Sequence, residues 1–204
     1  MCYGDSNTWG YDAATRKRFP PNVRWPGVLQ RALGDGFKVI EEGLNGRTTM
    51  IDDPLEPHRN GLTYLPPCLE THAPLDLITI MLGTNDLKAR FNRSASDIAE
   101  GAAYLAGVAS SSPVGPDGAP PRVLLIAPPP LARLTLYAEM FAGGEEKSRR
   151  FGEHYPTFAS WYGVPVFDAG QVIVSSDIDG IHFEADEHRK LGEAIAAEIR
   201  RLLG

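Results

Sequence analysis

Two short apolar runs constrain this chain more than any other feature. Asp76-Leu77-Ile78-Thr79-Ile80-Met81-Leu82 and Val123-Leu124-Leu125-Ile126-Ala127 are nearly continuous in apolar residues and are closed by Gly83 and by Pro128-Pro129-Pro130. Such runs read as strands buried on both faces. A sheet covered on both faces needs helices on either side of it, and the rest of the chain supplies them. Val28, Leu29, Ala32 and Leu33 fall at helical spacing within Arg24 to Leu33, which Gly34 and Gly36 stop. Gly61 to Thr71 is expected as a helix entered through Asn60, with Pro66-Pro67 disturbing its middle. Ser94 to Ser110 is expected as a helix with Ser94 and Asp97 as its capping box. Glu145 to Tyr162 follows, broken or restarted at Pro156, and Ala185 to Leu203 carries Leu191, Ile195, Ile199 and Leu202 on one stripe.

Three further strands complete the alternation. Met1 to Tyr3 reads as the end of a first strand. It is shorter than the usual ~5 or 6 residues, so residues upstream of Met1 are expected to complete it. Phe37-Lys38-Val39-Ile40-Glu41 alternates like a strand. Val164 to Asp168 is the fifth, and Pro165 suits it to a sheet edge. Asp12 to Asn22, Glu42 to Pro57 and Ser111 to Pro121 are expected as loops, the last one mobile. No internal repeat and no domain boundary interrupts the pattern, so residues 1–204 are expected to form one domain with a parallel sheet between two helical layers. Ligands of such folds bind outside the carboxyl ends of the strands. Ser6, Gly46, Asn85 and the loop after Asp168 all follow strand ends.

Charge and composition exclude some partners. The net charge of −6 argues against nucleic acid and anionic membranes, which favour a basic face. No apolar run approaches the ~20 residues of a membrane span, and no signal pattern opens the chain. Cys2 and Cys68 make neither a disulfide framework nor a cysteine metal cluster, so a reducing cytoplasm is the default and no metal is expected.

The chemistry-bearing residues lie in separate blocks. Gly4-Asp5-Ser6 follows the first strand, where a serine can be a nucleophile or simply a helix cap. Asp179-Gly180-Ile181-His182 precedes the last helix. A serine needs a base, and a histidine base needs a carboxylate on its other nitrogen; the alternative is a solvated turn. An acyl transfer also needs donors for the oxyanion. The Ser6 N–H, the Gly46 N–H and the Asn85 side chain are candidates, against a glycine turn and an Asn-Asp cap. Trp9 and Tyr11 could line a pocket, as could Phe141 or Phe151, for which core packing is the favoured reading.

Gly4-Asp5-Ser6, Gly46, Gly83-Thr84-Asn85-Asp86 and Asp179-Gly180-Ile181-His182 resemble, in order, the four blocks of the SGNH (GDSL) hydrolase family. The resemblance covers essentially the whole chain. Thr8-Trp9-Gly10, Glu41-Glu42-Gly43-Leu44, Arg47-Thr48-Thr49 and Ile51-Asp52-Asp53-Pro54 look like its bacterial arylesterase and acyltransferase branch. It implies a five-stranded, flavodoxin-like α/β/α fold. It further implies Ser6 as nucleophile, His182 as base, Asp179 as its partner, and Ser6, Gly46 and Asn85 as the oxyanion hole, with Asp5 bracing the loop. Asn7, Trp9, Tyr11 and Thr84 become the candidate substrate contacts. Asn7 departs from the apolar residue of the relatives. The reaction implied is hydrolysis of small carboxylic esters, or acyl transfer to alcohols or peroxide, with no cofactor. Homo-oligomers are expected, with Leu131 to Gly144 as contact surface. The rival readings are a carbohydrate O-acetylesterase and a non-catalytic anion binder. No Gly-x-Gly-x-x-Gly or Gly-Lys-Ser/Thr loop favours the latter.

Overall fold

Parallel strands form where the apolar runs lie. The computed structural model describes all 204 residues. Its chain order begins with β1 (Cys2–Gly4), α1 (Ser6–Trp9), a small antiparallel hairpin of β2 (Tyr11–Asp12) and β3 (Lys17–Arg18), and α2 (Trp25–Leu33). It continues through β4 (Glu41–Gly43), α3 (Gly61–His72), β5 (Leu77–Met81), α4 (Ala95–Ser111) and β6 (Arg122–Ala127). It ends with α5 (Gly144–Ser148), α6 (Phe151–Ala159), β7 (Val166–Asp168) and α7 (Ala185–Leu203). The main sheet has the order β4-β1-β5-β6-β7 and every pairing is parallel. Taken in sequence, that is second-first-third-fourth-fifth, the flavodoxin-like order.

Side chains along each strand alternate between two cores. Tyr3, Ile78, Ile80, Val123 and Leu125 face α3, α4 and α6, packing on Leu65, Leu69, Ile98, Leu105 and Tyr155. Cys2, Leu77, Met81, Leu124 and Ile126 face α2 and α7, packing on Trp25, Leu29, Leu191 and Ile195. Each buried aliphatic side chain contributes roughly 1.5–3 kcal/mol, which is why the two central runs hold whatever the loops do. No helix is long and apolar enough to cross a membrane.

Several local expectations are corrected. The strand expected over Phe37 to Glu41 begins only at Glu41, because β4 is an edge strand whose extent is set by pairing with Cys2–Gly4. Tyr11–Asp12 and Lys17–Arg18 pair within the segment expected as plain loop. Helix α3 runs through Pro66 and Pro67 unbroken. Burial of Leu65, Cys68 and Leu69 outweighs the backbone bonds the prolines remove. Pro156 likewise sits inside α6, and the break falls instead near Arg149-Arg150. Ser94 and Asp97 do form the reciprocal capping box, each N–H donating to the other's side chain at 3.0 Å.

Candidate active site

The point where strand order reverses lies between β1 and β5, and ligand crevices open at such points. Ser6 follows β1 directly, at the start of α1. Asp5, not Ser6, caps that helix: its carboxylate accepts from Asn7 N–H at 2.9 Å. Burial pushes the Asp5 carboxyl up to about 6, against the pull of that hydrogen bond.

Asp179 and His182 arrive from the turn before α7. Asp179 Oδ1 accepts from the amides of Ile181 at 2.9 Å and His182 at 3.0 Å, and Oδ2 lies 2.6 Å from His182 Nδ1. Burial alone would raise the Asp179 carboxyl. The hydrogen bonds and charge of His182, with the two amides, outweigh burial and hold it below the usual carboxylate range. Gly180 has φ +86°, and a Cβ there would lie 2.8 Å from Arg133 O, so the turn requires glycine. His182 Nε2 lies 2.9 Å from Ser6 Oγ. A serine hydroxyl, an imidazole and a carboxylate are thus in hydrogen-bond contact in series, across 176 residues of sequence.

Beside Ser6 Oγ, Gly46 and Asn85 line the same cleft. Gly46 has φ +78°, and a Cβ there would lie 2.6 Å from Glu56 Oε2. Asn85 follows β5, and its Nδ2 donates to Arg47 O at 3.1 Å. The first N–H of α1 has no intrahelical acceptor, and Ser6, Gly46 and Asn85 all line this one cleft.

The cleft is small, about 160 Å³. Tyr11 lines it, with its ring centroid 4.4 Å from that of His182. Tyr137, Met140, Phe141 and Ile181 form its apolar wall, while Asn45, Glu56 and Lys88 form a polar one. Lys88 Nζ is buried and donates to Glu56 Oε1 at 2.8 Å and to Asp53 Oδ2 at 3.4 Å, pinning the loop between β4 and α3 against the wall. A larger cleft of about 590 Å³ opens at the other end of the sheet, among Leu29, Leu33, Phe37, Leu75 and Leu203, far from these groups.

Three expected substrate contacts lie elsewhere. Asn7 is buried away from the cleft, where its Nδ2 donates to Ile181 O at 3.3 Å and ties α1 to the Asp179–His182 turn. Trp9 lies outside the lining and stacks under the Arg18 guanidinium, 5.0 Å away. Thr84 is buried in the backbone turn after β5, its carbonyl accepting from Leu87 N–H. Phe151 packs in the core against Tyr155, as favoured, whereas Phe141 does reach the cleft. Tyr137 and Met140, from the segment Leu131 to Gly144 expected as contact surface, line the cleft instead, and nothing periodic or motif-like marks Asn45, Glu56 and Lys88.

The whole chain is similar to several solved structures. The native aryl esterase of M. smegmatis is 48% identical, with 98% of this chain and 97% of that chain covered and a TM-score of 0.92. A carbohydrate acetylesterase from Sinorhizobium meliloti is 44% identical, over 98% and 97% of the two chains, with a TM-score of 0.94. A member of the lipolytic G-D-S-L family from Veillonella parvula, 18% identical over 97% and 95%, shares the fold with a TM-score of 0.66. No curated protein matches the chain. Residues 2–190 fit the GDSL-like lipase/acylhydrolase family. With that match spanning nearly the whole fold, the chain belongs to the GDSL-like lipase/acylhydrolase family.

Proposed function

We propose that this protein is a serine-dependent carboxylic ester hydrolase acting on small aryl or short-chain acyl esters. The observation that carries this reading is the contact series Ser6 Oγ to His182 to Asp179. Ser6 Oγ attacks the ester carbonyl carbon as His182 Nε2 takes its proton. Asp179 accepts from Nδ1–H, fixing the tautomer and stabilising the imidazolium. The tetrahedral oxyanion lies among the Ser6 N–H, the Gly46 N–H and Asn85 Nδ2–H. His182 then returns the proton to the departing alcohol. Water, a second alcohol or peroxide resolves the acyl-Ser6 by the same steps in reverse.

The cleft is small, and its apolar wall of Tyr137, Phe141 and Ile181 suits a short acyl chain or an aryl ring. The polar wall of Asn45, Glu56 and Lys88 supports a second reading, in which sugar hydroxyls are held and the substrate is a carbohydrate acetate. The similar structures include an aryl esterase and a carbohydrate acetylesterase, which support one reading each. We further propose a homo-oligomer. Leu136 and Ile178 are 62% and 46% exposed, Thr135 Oγ1 donates to Ile178 O, and Leu136 directly precedes the cleft residue Tyr137. A second copy over them would dry the cleft and favour transfer over hydrolysis.

The test is turnover of p-nitrophenyl acetate by wild type and Ser6→Ala, with and without benzyl alcohol, followed by sugar acetates. Turnover lost in Ser6→Ala with an unchanged circular dichroism spectrum supports the nucleophile. Equal rates in the two proteins would remove it. Benzyl acetate accumulating in water supports transfer, and a monomer by light scattering counts against the oligomer.

A further inference from the structure

Outside the cleft, α3 ends beside the edge strand β4, and three metal-binding side chains converge there. Cys68 and His72 are four residues apart on one face of α3, and Glu42 comes from β4. The sulfur of Cys68, an imidazole nitrogen of His72 and a carboxylate oxygen of Glu42 all lie within 4.8 Å of one another. His72 Nε2 and Glu42 Oε1 are 2.7 Å apart. The Cys68 thiol is fully buried and its Sγ contacts Met1 Sδ at 3.7 Å, whereas His72 and Glu42 keep 26% and 19% of their side chains exposed. The cluster therefore has a closed floor and one open side.

We propose that Glu42, Cys68 and His72 form a binding site for one zinc-class divalent cation, with a solvent molecule as fourth ligand. Thiolate, imidazole and carboxylate are the donor types that zinc takes in tetrahedral sites. Bonds of ~2.0–2.3 Å place such donors roughly 3.2–3.8 Å apart, so His72 and Glu42, 2.7 Å apart, must open slightly. Thiolate and carboxylate together carry two negative charges, matching the ion. Binding sends one proton, from the thiol, to solvent. The imidazole proton facing Glu42 moves through solvent to Nδ1, freeing Nε2 to ligate. Two cysteines far apart in the chain gave no hint of a cysteine cluster; the fold builds a mixed donor set around one of them instead.

The charge of Arg47 shapes the selectivity. Its guanidinium lies 4.1 Å from the Tyr3 ring centroid and 5.3 Å from that of Tyr64, held there by bonds to the carbonyls of Gly4 and Glu42. A fixed cation beside the site opposes hard ions bound by charge alone. That repulsion falls on every divalent ion alike, so occupancy requires the added bonding to sulfur and nitrogen, which separates zinc from magnesium and calcium. The site does not depend on the esterase reading.

The experiment titrates the full chain, stripped with chelator and kept under a non-thiol reductant, with Co²⁺ as the spectroscopic probe. One cobalt per chain is expected, with a thiolate-to-cobalt charge-transfer band that Zn²⁺ abolishes by displacement and Mg²⁺ leaves in place. Cys68→Ser should lose the band. His72→Gln and Glu42→Gln should each weaken binding by about tenfold or more. His72→Gln should keep the wild-type rate on p-nitrophenyl acetate, showing that it folds. A wild type with no thiolate band overturns the site, as does cobalt binding that His72→Gln and Glu42→Gln leave unchanged.

Discussion

The Asp86 carboxylate grips Thr49, taking its amide N–H at 3.1 Å and its hydroxyl at 2.5 Å. Asp86 directly follows Asn85, and Thr49 lies three residues beyond Gly46. One carboxylate therefore ties the loop after β5 to the loop after β4, and with them Asn85 and Gly46, the proposed oxyanion donors from different strands. Burial pushes Asp86 up to about 6, while the bonds from Thr49 pull it down. Asp86→Ala should free the Gly46 loop and lower kcat/KM for p-nitrophenyl acetate about 10- to 100-fold, the cost of displacing a reacting group by about 1 Å. Asp86→Asn keeps an acceptor for Thr49 and should recover most of the rate. An equal loss in both variants would show that charge, not the tether, is what matters.

Asn85 donates to Arg47 O as well as facing Ser6, so its amide is held before any substrate arrives. Removing one such donor costs about 10²- to 10³-fold in kcat. Asn85→Ala should show that loss with KM little changed, because the donor acts chiefly on the transition state. A rise in KM with kcat intact would make Asn85 a ground-state binding residue instead.

The central strands and the residues at their carboxyl ends were legible in the sequence for a physical reason. Leu77–Met81 and residues 123–127 are buried on both faces, so their composition leaves little alternative. The edge strand was not legible. Phe37 to Ile40 alternates like a strand, but pairing is decided by Gly43 opposite Gly4, where a Cβ on Gly43 would lie 2.2 Å from Trp9 N. Among the site residues, Ser6, Gly46, Asn85, Asp179 and His182 sit in short blocks where local backbone dictates residue type. The walls do not. Tyr137, Met140 and Phe141 lie on an irregular segment placed by long-range packing, and Asn7 and Thr84 turn inward to hold loops together, which no spacing announces.

Phe141 tests the apolar wall. It is buried, with its ring against the cleft. Phe141→Leu should enlarge the acyl pocket and raise the ratio of hexanoate to acetate turnover about tenfold, since one methylene in a fitted pocket is worth ~1–3 kcal/mol. Phe141→Ala would enlarge it further but cost roughly 3–5 kcal/mol of stability, so the leucine variant is the cleaner measurement, with Tm recorded alongside. An unchanged chain-length profile would place the acyl group on the other wall.

His188 sits between the edges of Phe19 and Phe183, at centroid distances of 5.4 and 5.6 Å, and its Nδ1 accepts from Trp25 N–H at 3.2 Å. Burial, with the His182 imidazole pushing the same way, lowers it to about 3. The unfolded chain takes up this proton near pH ~6.5. Between there and about 3 the folded chain refuses a proton that the unfolded chain accepts, so stability falls as pH falls. The slope is up to about 1.4 kcal/mol per pH unit. Asp5 and Asp86 act in the opposite direction. Burial raises each to about 6, so from ~4 to ~6 the folded chain keeps protons that the unfolded chain loses, and stability falls as pH rises. The wild-type curve alone therefore hides the histidine. His188→Gln retains an acceptor for Trp25 and does not titrate. In urea unfolding at each pH, the advantage of wild type over His188→Gln should be greatest above pH ~6.5. It should shrink by about 1.4 kcal/mol per unit between pH ~6 and ~4. A difference that stays constant over that range would mean the buried imidazole is already protonated in the fold, with its free Nε2 finding a partner there.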